Sequence, residues 1–164
     1  MAALALALAS IGVGVAGQTC PDHLFIVARS KNANVVAYDA NRGPGGDLVS
    51  SEPVVAYWLL DGDEGRREEL TRIQRDRAYG VESASSDGPG PHAVVFKAKR
   101  DRPLSIVTVD GCTVATTPIG GRNAVLHRLF VKSKEGTALP KVEYVEFFGE
   151  DPNTKEPLYE KLVP

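Results

Sequence analysis

One stretch near the start of the chain, residues 25–39 with the sequence FIVARSKNANVVAYD, constrains the fold most strongly. Two runs rich in β-branched and aromatic residues flank a short polar turn at residues 30–34, which contains Asn32 and Asn34. β-Branched and aromatic side chains favour strands, and asparagine tolerates the positive φ angles of tight turns. The stretch therefore predicts a β-hairpin.

Short strand patterns recur along the rest of the chain, separated by glycine, proline and polar residues. They cover residues 53–60, 81–84, 92–100, 103–110, 112–119, 123–132, 140–148 and 158–163. The Asp110-Gly111 step between two of these patterns is typical of a tight turn. Residues 66–77 are the one good helix candidate after residue 17, because Leu70 and Ile73 share a helix face among charged residues.

These patterns predict a mainly β fold: a single antiparallel β-barrel-like or sandwich domain of about eight to ten strands with one short helix. Antiparallel pairing is expected because the connections are short and contain no repeated helical crossovers. A barrel protects strand edges better than an open sheet of this size, and a two-sheet sandwich is the alternative. The 164 residues contain no repeat, which indicates one domain at residues 18–164.

The first segment, residues 1–17, carries no charge and is almost wholly apolar or small. It is too short to span a bilayer well, and its small-residue end is typical of a secretory signal peptide. The basic residues that usually precede such a segment are missing, and a buried apolar helix is the alternative. We expect a signal peptide here and an exported protein, periplasmic or extracellular.

The chain has two cysteines, Cys20 and Cys112. In an exported protein an even number of cysteines favours a disulfide. Closing a loop of about 90 residues would stabilise the fold by on the order of 4 kcal/mol in the chain-entropy description. The alternative is two unpaired thiols, and the sequence leaves both possibilities open.

Charge and hydropathy exclude several kinds of partner. The formal net charge of −2 gives no electrostatic reason to expect binding of nucleic acid or of an anionic membrane surface. After residue 17 no apolar run is long enough to form a membrane span. We therefore expect no nucleic-acid partner and no membrane span in the exported domain.

Sequence motifs for catalysis are absent, so we assign no catalytic residue, metal ligand or cofactor. The chain lacks a nucleophile elbow, a zinc-protease helix, a phosphate-binding glycine loop and a dinucleotide fingerprint. His23, His92 and His127 are far apart, which leaves only a constellation assembled in space. The acidic run at residues 61–65 fails as a calcium loop, because Arg72 stands where the loop needs its final glutamate.

Two groups of residues could form a ligand site at an open end of a barrel. One group is polar and lies at the hairpin turn and on the predicted helix, and the other is aromatic. The candidate ligand-binding residues are Arg29, Asn32, Asn34, Tyr38, Trp58, Arg75 and Tyr79. Guanidinium and amide donors beside aromatic rings suit a small apolar or amphipathic ligand.

The alternative for the same residues is structural: the asparagines satisfy turn geometry, Arg75 belongs to a charged solvent face, and the rings form ordinary core. Trp58 is expected to be buried under either interpretation, because it lies in the most apolar strand pattern after residue 17.

Several separated motifs resemble one family. They are LFIVARSKNANVVAYDAN, PVVAYW, LTRIQRDRAYG and the closing PKVEYVEFFGEDPNTKEPLYEKLVP. Together they resemble the bacterial secreted domain DUF4833 over residues 24–164, and the closing motif is the most specific. The resemblance implies an exported single-domain protein and implies no particular activity.

Three classes of function remain for such a domain. The first is non-catalytic binding of a small apolar or amphipathic ligand. The alternative is an interaction or structural module of the cell envelope with a protein partner, and the second alternative is a hydrolase-type enzyme. An interior cavity of several hundred Å³ would favour the first class, a filled interior with an exposed apolar patch the second, and converging catalytic side chains in a cleft the third.

Overall fold

The structure is a computed structural model that describes residues 20–30, 32–60, 65–84, 91–134 and 141–164. The predicted signal peptide and most of the acidic run lie outside these described residues. The described strands are β1 (His23–Arg29), β2 (Asn32–Ala40), β3 (Val54–Leu59), β4 (Arg67–Glu69), β5 (Val81–Ser83), β6 (His92–Phe96), β7 (Lys99–Val109), β8 (Cys112–Ile119), β9 (Arg122–Ser133), β10 (Val142–Glu150) and β11 (Pro157–Leu162). One helix, α1 (Arg72–Arg77), completes the described elements.

All of these strands belong to one sheet that curls into a half-barrel. The strand order is β4-β3-β2-β1-β9-β8-β7-β6-β5, while β10 pairs with the other edge of β9 and β11 pairs with β10. The prediction of a mainly β, barrel-like fold is confirmed. One pair departs from the antiparallel expectation, because β1 runs parallel to β9.

The predicted hairpin is formed by β1 and β2, with Val27 opposite Val36 and Arg29 opposite Asn32. The predicted tight turn between β7 and β8 is also present. Asp110 and Gly111 have φ angles of 50° and 81°, the two positive values that a type I′ hairpin turn requires. The turn residues and the flanking strand patterns therefore predict the same hairpin.

The predicted helix at residues 66–77 is only half right. Its first part forms β4, which pairs with β3, and helix α1 begins after Thr71. A capping box marks this start: the Gln74 backbone N–H donates to Thr71 Oγ1 at 3.3 Å, and the Thr71 backbone N–H donates to Gln74 Oε1 at 2.9 Å. Leu70 is buried and Ile73 is 73% exposed, so the two residues do not share an apolar face.

The core lies between the two wings of the sheet, β1–β4 and β5–β8. Phe25 stacks on Tyr38 with ring centroids 4.4 Å apart, and Phe96 from the opposite wing meets both rings edge-on. Leu104 and Ile106 of β7 are almost fully buried beside them. Side chains therefore fill the interior around these aromatic rings.

Strand β9 changes partner along one edge, which forks the sheet. Its residues 122–125 pair with β8, and its residues 128–131 pair with β1. The disulfide between Cys20 and Cys112, with an S–S distance of 2.05 Å, joins the start of β8 to the residues before β1. The question that the sequence left open is therefore answered: the two thiols are bonded to each other across the fork.

Candidate functional site

Three of the seven predicted ligand-binding residues, Arg29, Tyr38 and Trp58, contact a fourth, Tyr79. Arg29 Nη1 donates to the Tyr79 hydroxyl at 2.5 Å, and the Tyr38 hydroxyl donates to the Tyr79 backbone carbonyl at 2.8 Å. The Trp58 ring meets the Tyr79 ring edge-on, with centroids 5.2 Å apart. Sequence reasoning thus grouped residues that do lie together.

These aromatic rings belong to the core. Tyr38 is fully buried, and Trp58 and Tyr79 are only 8% and 7% exposed, so the predicted burial of Trp58 is confirmed. Burial is also the main reason that the pKa of Tyr38 lies far above its ordinary value. Side chains buried to this degree fill the interior, and a ligand could reach them only if the core opened.

The other three predicted residues bond local groups. The Asn34 backbone N–H donates to Asn32 Oδ1 at 3.0 Å, a bond that satisfies the hairpin turn. Arg75 Nη2 donates to the Leu70 carbonyl at 3.1 Å and lies 3.7 Å from a Glu69 carboxylate oxygen. These contacts fit the structural alternative for both places.

A cleft that contains none of the seven predicted residues lies between the loop after β2 and the strands β6 to β8. Its volume is about 710 Å³. Its apolar lining residues include the buried Ile106 and the half-buried Leu48, and most of the other lining residues are polar. The lining residues are Arg42, Asp47, Leu48, Ser50, Pro91, His92, Ile106, Val107, Thr108 and Thr113. We call this the loop cleft.

Arg42 fixes one wall of the loop cleft through three bonds. Nε donates to Asp22 Oδ1 at 2.7 Å, and Nη1 donates to the Gly46 carbonyl at 2.8 Å. Nη2 donates to Thr113 Oγ1 at 2.7 Å, which connects the loop to β8. Because guanidinium donors are held in a rigid plane, three such bonds set the position of the loop against the sheet.

A second cleft of about 350 Å³ lies at the fork of the sheet, and we call it the fork cleft. It is lined by Pro21, His23, Leu24, Cys112, Thr113, Val114, Val125 and His127. Thr113 lines both clefts. The fork explains this cleft, because β1 and β8 separate where β9 passes from one partner to the other.

Two histidines line the fork cleft, and each is paired with a carboxylate. His23 Nδ1 lies 3.0 Å from Asp39 Oδ1, and His127 Nε2 lies 3.4 Å from a Glu150 carboxylate oxygen. Such pairs orient an imidazole and leave its other nitrogen free to bind or to accept a proton. Within the described ranges, no group of three or more His, Cys, Asp or Glu side chains could hold a metal ion.

Asp39 also anchors Tyr57, whose hydroxyl donates to Asp39 Oδ2 at 2.7 Å. Burial, together with the hydrogen bond and the negative charge of Asp39, raises the pKa of Tyr57 to about 12. Arg67 lies over the same ring, with its guanidinium carbon 3.7 Å from the centroid. The His23 side of the fork cleft is therefore held by a connected polar network.

Sequence reasoning missed both clefts. Arg42 had one readable signal, because it is the lone basic side chain in the glycine- and proline-rich loop at residues 41–47. His23 and His127 had none, since only the parallel pairing of β1 with β9 brings them to one cleft. His92, the third histidine, lines the loop cleft instead.

The fold defines the class of this protein: a mainly β domain whose sheet curls into a half-barrel. Within that class, the chain belongs to the DUF4833 family, a domain of unknown function whose sequence profile matches residues 25–161. This match confirms the resemblance seen in the separate motifs. No curated protein and no solved structure matches the chain significantly. No helix in the described part of the chain is long and apolar enough to cross a membrane.

Proposed function

We propose that this protein is a non-catalytic binding domain that takes a small amphipathic ligand in the loop cleft. The observation that carries the proposal is the combination of a volume of about 710 Å³ with a lining that contains both apolar and polar residues. Ligand sites commonly have volumes of roughly 300–1,000 Å³, with apolar walls and a few polar groups that orient the ligand. The loop cleft fits this description better than the filled interior does.

The polar lining residues of the loop cleft orient the polar head of the ligand. Ser50, Thr108 and Thr113 provide hydroxyl groups, Asp47 provides a carboxylate, and His92 provides an imidazole. In this proposal a polar head bonds to these groups while an apolar tail lies on the apolar lining residues Leu48 and Val107. The bonds that hold Arg42 keep the wall in place before the ligand arrives, which lowers the cost of binding.

Binding is favoured over hydrolysis because, among the described residues, neither cleft places a serine or cysteine nucleophile in a hydrogen bond with one of its histidines. In the described part of the chain, no hydrogen bond joins Ser50 to His92, although both line the loop cleft. At the fork cleft the sulfur of Cys112 is in a disulfide, and Thr113 Oγ1 accepts a bond from Arg42. A hydrolase of the serine or cysteine type needs a nucleophile in contact with its base.

We further propose that the domain works outside the cytoplasm, in the periplasm or the extracellular space. The disulfide between Cys20 and Cys112 supports this location, because disulfides persist mainly in oxidising compartments. The apolar segment at residues 1–17 has the composition of a signal peptide, which supports the same location.

The loop cleft can be tested with the amphipathic dye anilinonaphthalene sulfonate, which has an apolar ring system and one anionic group. Ser50 lines the cleft, and its neighbour Ser51 is exposed outside it, so the two serines form a matched pair. The wild type is expected to bind the dye at one site, and Ser50→Trp should weaken binding by about tenfold or more because the indole occupies the cleft.

Ser51→Trp should leave dye binding unchanged, and the melting temperature of each variant shows whether it folds. Equal binding by both variants, or no binding by the wild type, would contradict the proposal.

A further inference from the structure

The outer side of β9, β10 and β11 carries an ordered group of aromatic and charged side chains. Two rows cross the three strands: Arg128, Phe148 and Tyr159 form one row, and Phe130, Glu146 and Lys161 form the next. We call these six residues the outer aromatic face. The residues that alternate with them, such as Leu129 and Phe147, are buried on the opposite side of the sheet.

Side-chain contacts hold the outer aromatic face in one arrangement. The Arg128 guanidinium carbon lies 5.9 Å from the ring centroids of both Phe130 and Phe148. The Phe148 and Tyr159 rings lie 5.3 Å apart and are tilted by 52°. The Tyr159 hydroxyl donates to Glu146 Oε1 at 2.8 Å. This bond is the first cause of the raised pKa of Tyr159, and it fixes the ring in place.

Tyr159 is the most open ring of the face, with 53% of its surface exposed. Because its hydroxyl is used by Glu146, the ring offers a partner mainly its apolar surface. Lys161 lies nearby, and its Nζ is 3.5 Å from the ring centroid of Tyr144 in the following row. The face thus combines an apolar ring, a carboxylate that accepts hydrogen bonds, and two cations.

A second copy of the chain does not fit this surface. The face carries two cations, Arg128 and Lys161, and one carboxylate, so a two-fold contact between two such faces would bring an excess of positive charge together. Like charges that face each other destabilise a contact. The face therefore requires a partner of different chemistry.

Single-stranded nucleic acid fits poorly as well. Its bases need several open rings on which to stack, whereas cations lie against Phe130, Phe148 and Tyr144.

Sugars match the remaining chemistry. A pyranose ring has an apolar side that can lie on an aromatic ring, and its hydroxyl groups donate to a carboxylate. The two cations outnumber the one carboxylate of the face, and guanidinium groups bind carboxylates through paired bonds. This excess of positive charge favours a sugar that carries carboxylate groups.

We propose that the outer aromatic face binds an acidic polysaccharide. A sugar ring lies on Tyr159, its hydroxyl groups donate to Glu146, and the carboxylates of the polymer bind Arg128 and Lys161. This site is on a different surface from the loop cleft and does not depend on the ligand proposed there.

The probe for this site is an oligogalacturonate, with binding measured by calorimetry at low salt. Tyr159→Ala and Arg128→Ala should each weaken binding by about tenfold. Tyr159→Phe keeps the ring and removes only the bond to Glu146, so it should stay within about threefold of the wild type. Arg100→Ala is the matched control, because Arg100 is an exposed arginine on β7 that pairs with Glu82.

Three further probes distinguish the partner classes: an uncharged cellulose oligosaccharide, a poly-glutamate peptide and a single-stranded DNA oligomer. The proposal predicts that each binds at least tenfold more weakly than the oligogalacturonate. Equal binding of the peptide or the DNA would overturn the proposal, and so would no binding of the oligogalacturonate. Ser50→Trp should leave binding of the oligogalacturonate unchanged, so failure at one site is distinguishable from failure at the other.

Discussion

At the scale of single residues, the ion pair between Arg102 and Glu160 joins two distant parts of the sheet. Arg102 Nη2 donates to Glu160 Oε2 at 2.6 Å and also bonds the Pro118 carbonyl, and its guanidinium carbon lies 3.9 Å from the Phe147 ring centroid. The Gly120 backbone N–H donates to Glu160 Oε2 at 3.0 Å. The side chains are only 13% and 22% exposed, so solvent screens the pair weakly.

Removing one partner should therefore be costly. We expect Arg102→Ala to lower the free energy of unfolding by roughly 2–4 kcal/mol, because the Glu160 carboxylate loses its counterion in a mostly buried place. Arg100→Ala removes an exposed pair with Glu82 and should cost less than about 1 kcal/mol. Urea unfolding of both variants measures the difference, and equal costs would show that the Arg102 pair does not stabilise the fold.

The same pair makes stability depend on pH. The hydrogen bonds from Arg102 hold the pKa of Glu160 below its ordinary value. A depressed folded pKa contributes stability above the unfolded value of about 4.3, and this contribution is lost as pH falls through the folded pKa. The stability gap between the wild type and Glu160→Gln should be full at neutral pH and should shrink below about pH 4. A gap that stayed constant down to pH 2 would contradict the assigned cause.

At the scale of elements, Gly149 allows β10 to approach β9 closely. A Cβ atom at this position would lie 2.3 Å from the Val125 carbonyl oxygen and 2.8 Å from Ile119 Cδ1. The register of the two strands shifts between Phe148 and Gly149, at a bulge. The small residue is needed for backbone contact, since its φ angle is not in the left-handed region.

We expect Gly149→Ala to destabilise the protein by roughly 1–3 kcal/mol, because a backbone carbonyl cannot move aside as a flexible side chain can. Gly43→Ala is the control, since a Cβ there meets only the Asp47 carbonyl oxygen at an ordinary distance of 3.9 Å. Thermal unfolding compares the two variants. A smaller loss for Gly149→Ala than for Gly43→Ala would disprove the steric argument.

Elements are also the scale at which sequence reasoning works best here. Alternating apolar residues and turn chemistry place the strands, and the Asp110-Gly111 turn has the expected positive φ angles. The predicted helix begins at residue 66, whereas α1 begins at Arg72. The capping residues Thr71 and Gln74, which mark the true start, are readable in the sequence. The segment before Thr71 satisfies its backbone groups on β3, and local helix propensity cannot reveal that.

At the scale of the whole molecule, the fork in the sheet determines where the fork cleft lies, and the sequence does not reveal the fork. Strand β1 pairs with β9 from the far end of the chain, so no local pattern predicts the parallel contact. The predicted site identifies neither cleft, because the residues that line each cleft come from segments that are distant in sequence. Proximity in sequence favoured Tyr38 and Trp58 as ligand-binding residues, but their rings pack into the core. Arg42 and His92 come to line one cleft only after the chain folds.

The disulfide across the fork should stabilise the whole fold. Cys20 and Cys112 are separated by 92 residues, and closing such a long loop restricts the unfolded chain strongly. We expect the double variant Cys20→Ser and Cys112→Ser to lose about 2–5 kcal/mol of unfolding free energy. A reducing agent should shift the wild type to the same unfolding midpoint and leave the double variant unchanged. A wild type insensitive to reduction while its thiols titrate as free would contradict this prediction.

The most direct test of the central claim, that the loop cleft holds a small amphipathic ligand, is native mass spectrometry of the protein purified from its own host. We expect a fraction of the wild-type protein to carry one additional mass from a small amphipathic molecule, and we expect Ser51→Trp but not Ser50→Trp to retain it. Protein without any added mass, together with no exchange of added amphipathic compounds into the wild type, would contradict the claim.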